Sequence, residues 1–178
     1  MVRACLLAAP FVFCFVANAA PEPFPAPIAP AGQGWLQCHQ PDHAKKTCQS
    51  LAGYGRAAGG GFENTASVAL PTSPLTVMEI VSPVTIRDGQ VCGYINKTDI
   101  DAARFIVGGV ETSPDETANY RKRVAVMYAA MFGHEICTAY VPDGKDLMTR
   151  VSIDGRPAPA MSQRVVWVSP SDGYRVSY

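Results

Sequence analysis

The sequence predicts an α+β protein: a small antiparallel twisted sheet with two helices inserted between its strands and two disulfides. Three observations support this prediction. Short runs rich in Val, Ile and Thr alternate with turn residues. Two helical patterns occur in the middle of the chain. Four of the six cysteines remain once an amino-terminal export signal is removed.

The composition is that of a globular domain with balanced charge. The 178 residues are 48% hydrophobic and 17% charged, and 15 basic residues face 15 acidic ones. Such a chain can build a core. The balance gives no electrostatic reason to bind nucleic acid or an anionic membrane, so neither is predicted as a partner.

The first nineteen residues have the pattern of a secretory signal peptide. Arg3 supplies a positive start, residues 6–16 are apolar, and residues 17–19 read Ala-Asn-Ala, a small-x-small cleavage site. The apolar run is shorter than the ~20 residues of a membrane-spanning helix. We therefore expect cleavage after Ala19 and an exported protein, periplasmic or extracellular, with no transmembrane segment in the mature chain.

The mature chain divides into a linker and one domain. Residues 20–33 are predicted as a Pro-rich linker, and residues 34–178 as a single α+β domain. Prolines at alternate positions favour an extended polyproline II conformation. The sequence leaves open whether this segment is a spacer or a ligand for an aromatic groove.

The four remaining cysteines are predicted to form the disulfides Cys38–Cys48 and Cys92–Cys137. An even number of cysteines in an oxidising compartment favours disulfides, and four cysteines allow three pairings. Cys38 and Cys48 flank a turn, Gln-Pro-Asp, at residues 40–42. Cys92 and Cys137 fall in predicted strands on either side of the helices, so this disulfide would join the helical insertion to the sheet.

The first half of the domain is predicted as strands separated by turn residues. An Asp-Gly pair at 88–89 between two apolar runs indicates a hairpin. The glycines at 59–61 indicate a flexible break, and a short helix over 44–51 is an alternative to the second strand. The predicted strands are residues 35–38, 47–54, 65–70, 75–81, 84–87 and 90–95.

Two helices are predicted next. The first begins at the capping residue Thr98 and ends at Gly108. The second begins at residues 113–116, Ser-Pro-Asp-Glu, which place a capping serine, a proline and a glutamate at the positions of a capping box. Gly133 ends it. The chain then returns to strands at residues 135–141, 147–153, 164–169 and 174–178, with Asp-Gly turns between several of them.

Cys38, His39, His43 and Cys48 are the closest cluster of metal-ligating residue types in the sequence. Thiolates and imidazoles at such spacing suit zinc or copper. Pro41, however, breaks any helix that would bring the two histidines to one face, and a disulfide removes both thiolates. We predict a disulfide-tied polar turn, with metal binding by His39 and His43 as an alternative.

Two further motifs are incomplete. Residues 53–58 match the loose Gly-x-Gly-x-x-Ala dinucleotide pattern, but more glycines follow where a helix should begin, so we predict a glycine-rich loop and no cofactor. His134-Glu135 begins like a zinc-protease motif, yet Thr138 stands where the second histidine ligand belongs.

The predicted function follows from export and from these incomplete motifs. No residue is predicted to be catalytic. We expect a non-catalytic binding or structural protein with an unknown envelope or extracellular partner. The alternative is an exported hydrolase whose site is assembled from distant residues, which would place His134 or His39 beside a serine and a carboxylate.

Overall fold

A computed structural model describes residues 22–177 of the chain. The predicted signal peptide and its cleavage site lie outside the described residues. Within the described part, no helix is long and apolar enough to cross a membrane.

The described residues form short strands and two α-helices. Helix α1 spans Lys97–Ala102 and helix α2 spans Pro114–Tyr128. The strands are β1 (Leu36–His39), β2 (Thr47–Cys48), β3 (Ser50–Arg56), β4 (Phe62–Leu70), β5 (Thr76–Arg87), β6 (Gln90–Tyr94), β7 (Arg104–Val107), β8 (Val110–Glu111), β9 (Glu135–Asp143), β10 (Asp146–Ile153), β11 (Arg156–Pro157), β12 (Arg164–Val168) and β13 (Arg175–Val176).

Eight of these strands close into a barrel. Their order is β4-β3-β1-β12-β10-β9-β6-β5, and the pairing of β5 with β4 closes the ring. Strand β5, with 12 residues, makes the closure possible. It pairs with β4 along most of its length, and its last four residues pair with β6. The two strands predicted at 75–81 and 84–87 are thus one strand, which continues through the exposed Pro83.

The predicted α+β sheet is therefore wrong, because the molecule is a closed, mainly antiparallel barrel with one long helix. The first predicted helix stops at Ala102, and the following residues form β7 at the edge of β5. Phe105, Ile106 and Val107 favour a pleated strand. The start of β5 also offers backbone hydrogen bonds that a helix could not use.

The glycine-rich loop predicted at residues 53–58 is also wrong. Residues up to Arg56 continue β3, which pairs with β4 from Ser50 to Arg56. Only the following residues, to Gly61, form the turn between the two strands. The dinucleotide pattern therefore lies in a barrel strand.

Part of the Pro-rich segment packs against the barrel. A short 3-10 helix, Ala29–Gln33, lies beside β3, and Ile28 is fully buried. The guanidinium of Arg56 stacks on the rings of Phe24 and Phe62, at 5.3 and 5.2 Å from their centroids. These contacts hold the start of the described chain against β3 and the beginning of β4.

The structure contains both predicted disulfides. Cys92 and Cys137 are paired residues on the adjacent strands β6 and β9. Cys38 and Cys48 pack with Val168 in a small cluster on the outer face of β1. Beside it, β13 runs parallel to β2, so the first disulfide also anchors the carboxyl-terminal segment.

The capping box predicted for the second helix is confirmed. The backbone N–H of Glu116 donates to the Ser113 hydroxyl at 3.4 Å, and the N–H of Ser113 donates to the Glu116 carboxylate at 3.0 Å. Two amide groups that α2 leaves without helical partners are thereby satisfied.

We expect Ser113→Ala to lower the free energy of unfolding by about 1 kcal/mol, because the first turn of α2 loses its side-chain acceptor. Ser113→Asp, which keeps an acceptor and adds a charge that suits the helix dipole, serves as the control and should lose little. Urea unfolding measures both. Equal losses for the two variants would show that the cap does not stabilise α2.

Candidate ligand-binding site

The inner face of the barrel lines a cavity of about 250 Å³ that is open to solvent beside the exposed Tyr94. Side chains alternate across a strand, so every second residue of each barrel strand faces inward. The cavity is lined from β1, β3, β4, β5, β6 and β9. Val84, Val91 and Ile136 give it apolar walls. At Gly93 a Cβ atom would lie 3.1 Å from the Pro83 carbonyl oxygen, so the glycine lets β5 and β6 approach closely.

Four polar side chains on the inner face of the barrel are here called the polar floor: Gln37, His39, Tyr54 and Tyr140. His39, Tyr54 and Tyr140 line the cavity, and the fully buried Gln37 bonds to the two tyrosines. Both tyrosine hydroxyls donate to the Gln37 side-chain carbonyl, at 2.9 Å from Tyr54 and 3.1 Å from Tyr140. The two hydroxyl oxygens lie 3.3 Å apart. Both phenol protons are thus directed at one oxygen, and the hydroxyl oxygens keep lone pairs that can accept hydrogen bonds.

The amide nitrogen of Gln37 is the unusual atom of the floor. Gln37 is fully buried, and its Nε2 has no hydrogen-bond partner among residues 22–177. A buried donor left unsatisfied costs about 1–3 kcal/mol. Native proteins satisfy nearly all such groups with protein, water or a ligand. The amide is therefore an unsatisfied donor directly beneath the two tyrosines that line the cavity.

His39 adds a second donor. The Gln163 amide nitrogen lies 2.9 Å from Nδ1 of His39, and the Gln163 carbonyl accepts from Gln40 at 3.3 Å. Since an amide nitrogen only donates, Nδ1 is the acceptor and the neutral ring carries its proton on Nε2. In the described part of the chain, no side chain bonds to that Nε2–H.

The polar floor is uncharged at neutral pH. Burial lowers the pKa of His39 from 6.5 to about 4, so the ring is neutral. Burial raises the pKa of Tyr54 well above 10, and the neighbouring Tyr140 raises it further. The pKa of Tyr140 is also raised, mainly by burial. The floor therefore offers hydrogen bonds without a charge.

The lowered pKa of His39 makes stability depend on pH. Below about pH 6.5 the His39 ring is protonated in the unfolded chain. In the folded chain the ring stays neutral down to about pH 4. The free energy of unfolding should therefore fall as the pH drops from 6.5 to 4, by at most about 1.4 kcal/mol per pH unit. Urea unfolding across this range measures the slope, and His39→Gln should flatten it. An unchanged slope in the variant would assign the pH dependence to other groups.

His43 lies in a separate cluster and not at the floor. Its Nδ1 is 2.8 Å from the Tyr174 hydroxyl and its Nε2 is 3.0 Å from the Asp146 carboxylate. Asp146 is buried and also lies 3.7 Å from Arg164. These contacts connect the turn after β1, the start of β10 and the carboxyl-terminal segment. Because both ring nitrogens are occupied, we assign His43 a structural role.

The metal cluster considered as an alternative is not assembled in the described residues. Cys38 and Cys48 are bonded to each other, and the ring nitrogens of His39 and His43 bond to different partners. Cys92 and Cys137 lie near a carboxylate, but both sulfurs belong to the second disulfide and offer no thiolate.

His134, the other histidine considered for a hydrolase, lies on the surface. Its Nδ1 is 2.6 Å from the Asp154 carboxylate, which also accepts the backbone N–H of Glu135 at 2.9 Å. These bonds lower the pKa of Asp154, with the His134 bond as the largest cause. The pair fixes the turn after β10 against the start of β9. No hydrogen bond joins it to the floor.

Comparisons with protein-family models, with curated proteins and with solved structures found no match to this chain. The interpretation of function therefore rests on the site itself.

Sequence reasoning did not find Gln37, Tyr54 or Tyr140 as site residues. A signal for Gln37 and His39 was present, because they alternate with the outward-facing Cys38 and so share the inner face of β1. Tyr54 and Tyr140 are far apart in sequence, and only barrel closure brings their hydroxyls together.

Proposed function

We propose that this chain is an exported, non-catalytic binding protein that holds a small uncharged molecule inside its barrel. The observation that carries the proposal is the Gln37 amide, a fully buried donor without a partner in the described residues, whose carbonyl accepts from the two tyrosines that line the cavity. The His39 Nε2–H and the two tyrosine oxygens complete a set of donors and acceptors. Asn64, Ser82 and Thr138 add polar groups to the cavity wall, and convergent polar groups in a cavity are typical of ligand sites.

The electrostatics favour an uncharged ligand. The floor contains no cation to pair with an anion and no carboxylate to pair with a cation. A charged molecule would lose its hydration without compensation, which is costly in a buried site. A neutral amide or alcohol has both a donor and an acceptor, and it can satisfy Gln37 Nε2 while donating to a tyrosine oxygen.

The same geometry argues for binding over catalysis. The hydroxyl groups of both tyrosines donate to the Gln37 carbonyl. Because the pKa values of Tyr54 and Tyr140 are raised, both phenols stay protonated and do not act as phenolate nucleophiles. The partner of His39 Nδ1 is an amide, so no carboxylate orients the ring as in a hydrolase triad. The cavity is also smaller than the 300–1,000 Å³ typical of sites for drug-sized ligands, which favours a small molecule.

Export is part of the proposal. The two disulfides indicate an oxidising environment. The predicted signal peptide of residues 1–19 would deliver the chain there, either to the periplasm or to the cell exterior.

The proposal is tested by titrating the protein, with both disulfides formed, with acetamide, propionamide and benzamide. Sodium benzoate is the charged comparison for benzamide. We expect the neutral amides to shift the NMR signals of the Gln37 side-chain amide and the His39 ring. Benzamide should bind at least tenfold more tightly than benzoate, because nothing in the floor compensates a buried anion.

A double variant, Tyr54→Phe with Tyr140→Phe, should weaken amide binding about tenfold, because each phenylalanine removes a hydrogen-bonding oxygen. Tyr94→Phe is the matched control, since it removes a hydroxyl from an exposed residue at the cavity wall. If none of the amides shifts the Gln37 signals, the proposed function is wrong. Equal binding to the double variant and the control would place the ligand elsewhere.

A further inference from the structure

A second cavity adjoins the first. It has a volume of about 160 Å³ and lies between the inner face of the β4–β5 hairpin and the helices. Ser82 and Ile95 line both cavities, so these two residues lie between them. Its other walls include Met78, Ile80 and Tyr128. We call this space the tail pocket.

Strand β5 forms a continuous wall through both cavities. Its inward-facing residues Val84 and Ser82 line the barrel cavity, and Ser82, Ile80 and Met78 line the tail pocket. From position 84 to 78 this wall runs about 20 Å, at about 3.3 Å per residue. One elongated molecule that passes Ser82 and Ile95 would follow β5 from the polar floor to a place beneath the helices.

The chemistry changes along that path. The floor is a hydrogen-bonding surface, whereas the tail pocket is lined mostly by aliphatic side chains. Asp99 is its charged wall residue, and the Asn96 amide donates to that carboxylate at 3.2 Å. An apolar group is favoured in this pocket, and an anionic group would be repelled by the Asp99 carboxylate.

We infer that the ligand is a neutral amphiphile with its hydrogen-bonding head on the polar floor and a short apolar tail in the tail pocket. This inference rests on the proposed function, since it assumes that the floor holds the head. The tail is small. The pocket resembles in volume an engineered apolar cavity of about 150 Å³ that binds benzene, so it suits about six carbon atoms.

A series of linear primary amides, from propionamide to octanamide, tests the inference by calorimetry on the disulfide-bonded protein. Each methylene that enters the tail pocket should tighten binding about fourfold. The gain should stop once the pocket is full. Sodium octanoate should bind at least tenfold more weakly than octanamide, because its head is charged.

Ile80→Phe fills the tail pocket and should abolish the gain from chain length while leaving propionamide binding unchanged. Val81→Phe is the matched control, because it adds the same ring one position along β5 on the exposed face. In the wild-type protein, nuclear Overhauser contacts from the terminal methyl of octanamide to Ile80 and Met78 give a test that does not depend on the variant folding.

The outcomes separate the two proposals. If propionamide shifts the Gln37 signals but longer amides bind no more tightly, the proposed function stands and the tail inference is overturned. Contacts of the octanamide methyl with other residues only would overturn it as well. If no amide of any length binds, both proposals fail together.

Discussion

Loss of the Cys92–Cys137 disulfide is expected to lower the free energy of unfolding by about 4 kcal/mol. The bond joins residues 45 apart in sequence, and the segment between them contains both helices. In the unfolded chain it closes a long loop and removes conformational freedom. In the folded barrel the two cysteines are already paired across β6 and β9. The loss is a large part of a typical stability of about 5–15 kcal/mol.

The test is urea unfolding of the variant with Cys92→Ala and Cys137→Ala, with the Cys38–Cys48 disulfide intact. The comparison is the variant with Cys38→Ala and Cys48→Ala. Its shorter loop, with a sequence separation of 10, predicts a smaller loss of about 3 kcal/mol. If the first variant were as stable as the wild type, the barrel would not depend on the bond between β6 and β9.

Phe105→Ala should lower the free energy of unfolding by about 3–5 kcal/mol. The Phe105 side chain is 0% exposed, and its ring stacks on Tyr120 with centroids 5.2 Å apart. It lies in the main apolar core with Ile100 from α1 and Val124 from α2. Truncation would leave a cavity where the helices meet the β4–β5 hairpin, and that cavity cannot close without moving α2.

Val110→Ala is the matched control, because Val110 is 71% exposed and lies on the neighbouring strand β8. We expect it to change the free energy of unfolding by less than about 0.5 kcal/mol. Thermal and urea unfolding of both variants provide the measurement. A loss for Phe105→Ala below 1 kcal/mol would mean that the helices contribute little to the stability of the barrel.

The local structure was largely predictable because local signals carry it. Most predicted strands occur within a few residues of their predicted positions, and the Ser113 capping box is present. The errors occur where tertiary contacts decide. Residues 104–107 follow a helical start but join the edge of β5. Residues 53–56 have the composition of a loop, yet they extend strand β3. This strand pairs with β4 on one side and β1 on the other, and it is therefore part of the closed barrel.

The candidate site was predicted less well. His39 was named only in the alternatives, as a metal ligand with His43 or as a hydrolase residue, whereas the structure places it on the inner face of β1 with Gln37. The aromatic members of the floor, Tyr54 and Tyr140, lie on β3 and β9. Their meeting depends on the curvature of the whole barrel, which a local pattern of alternating residues does not reveal.

By itself, the sequence determined the strand-rich character, the turns and the capped helix, because these depend on residues that are close together in the chain. It also favoured the correct cysteine pairing, because four cysteines allow only three pairings. Only the tertiary structure decided that the sheet closes, since closure is a property of strand order and of the pairing of β5 with β4. Closure also created the interior. The same alternation that would give an open sheet one buried face here surrounds a cavity with a polar floor.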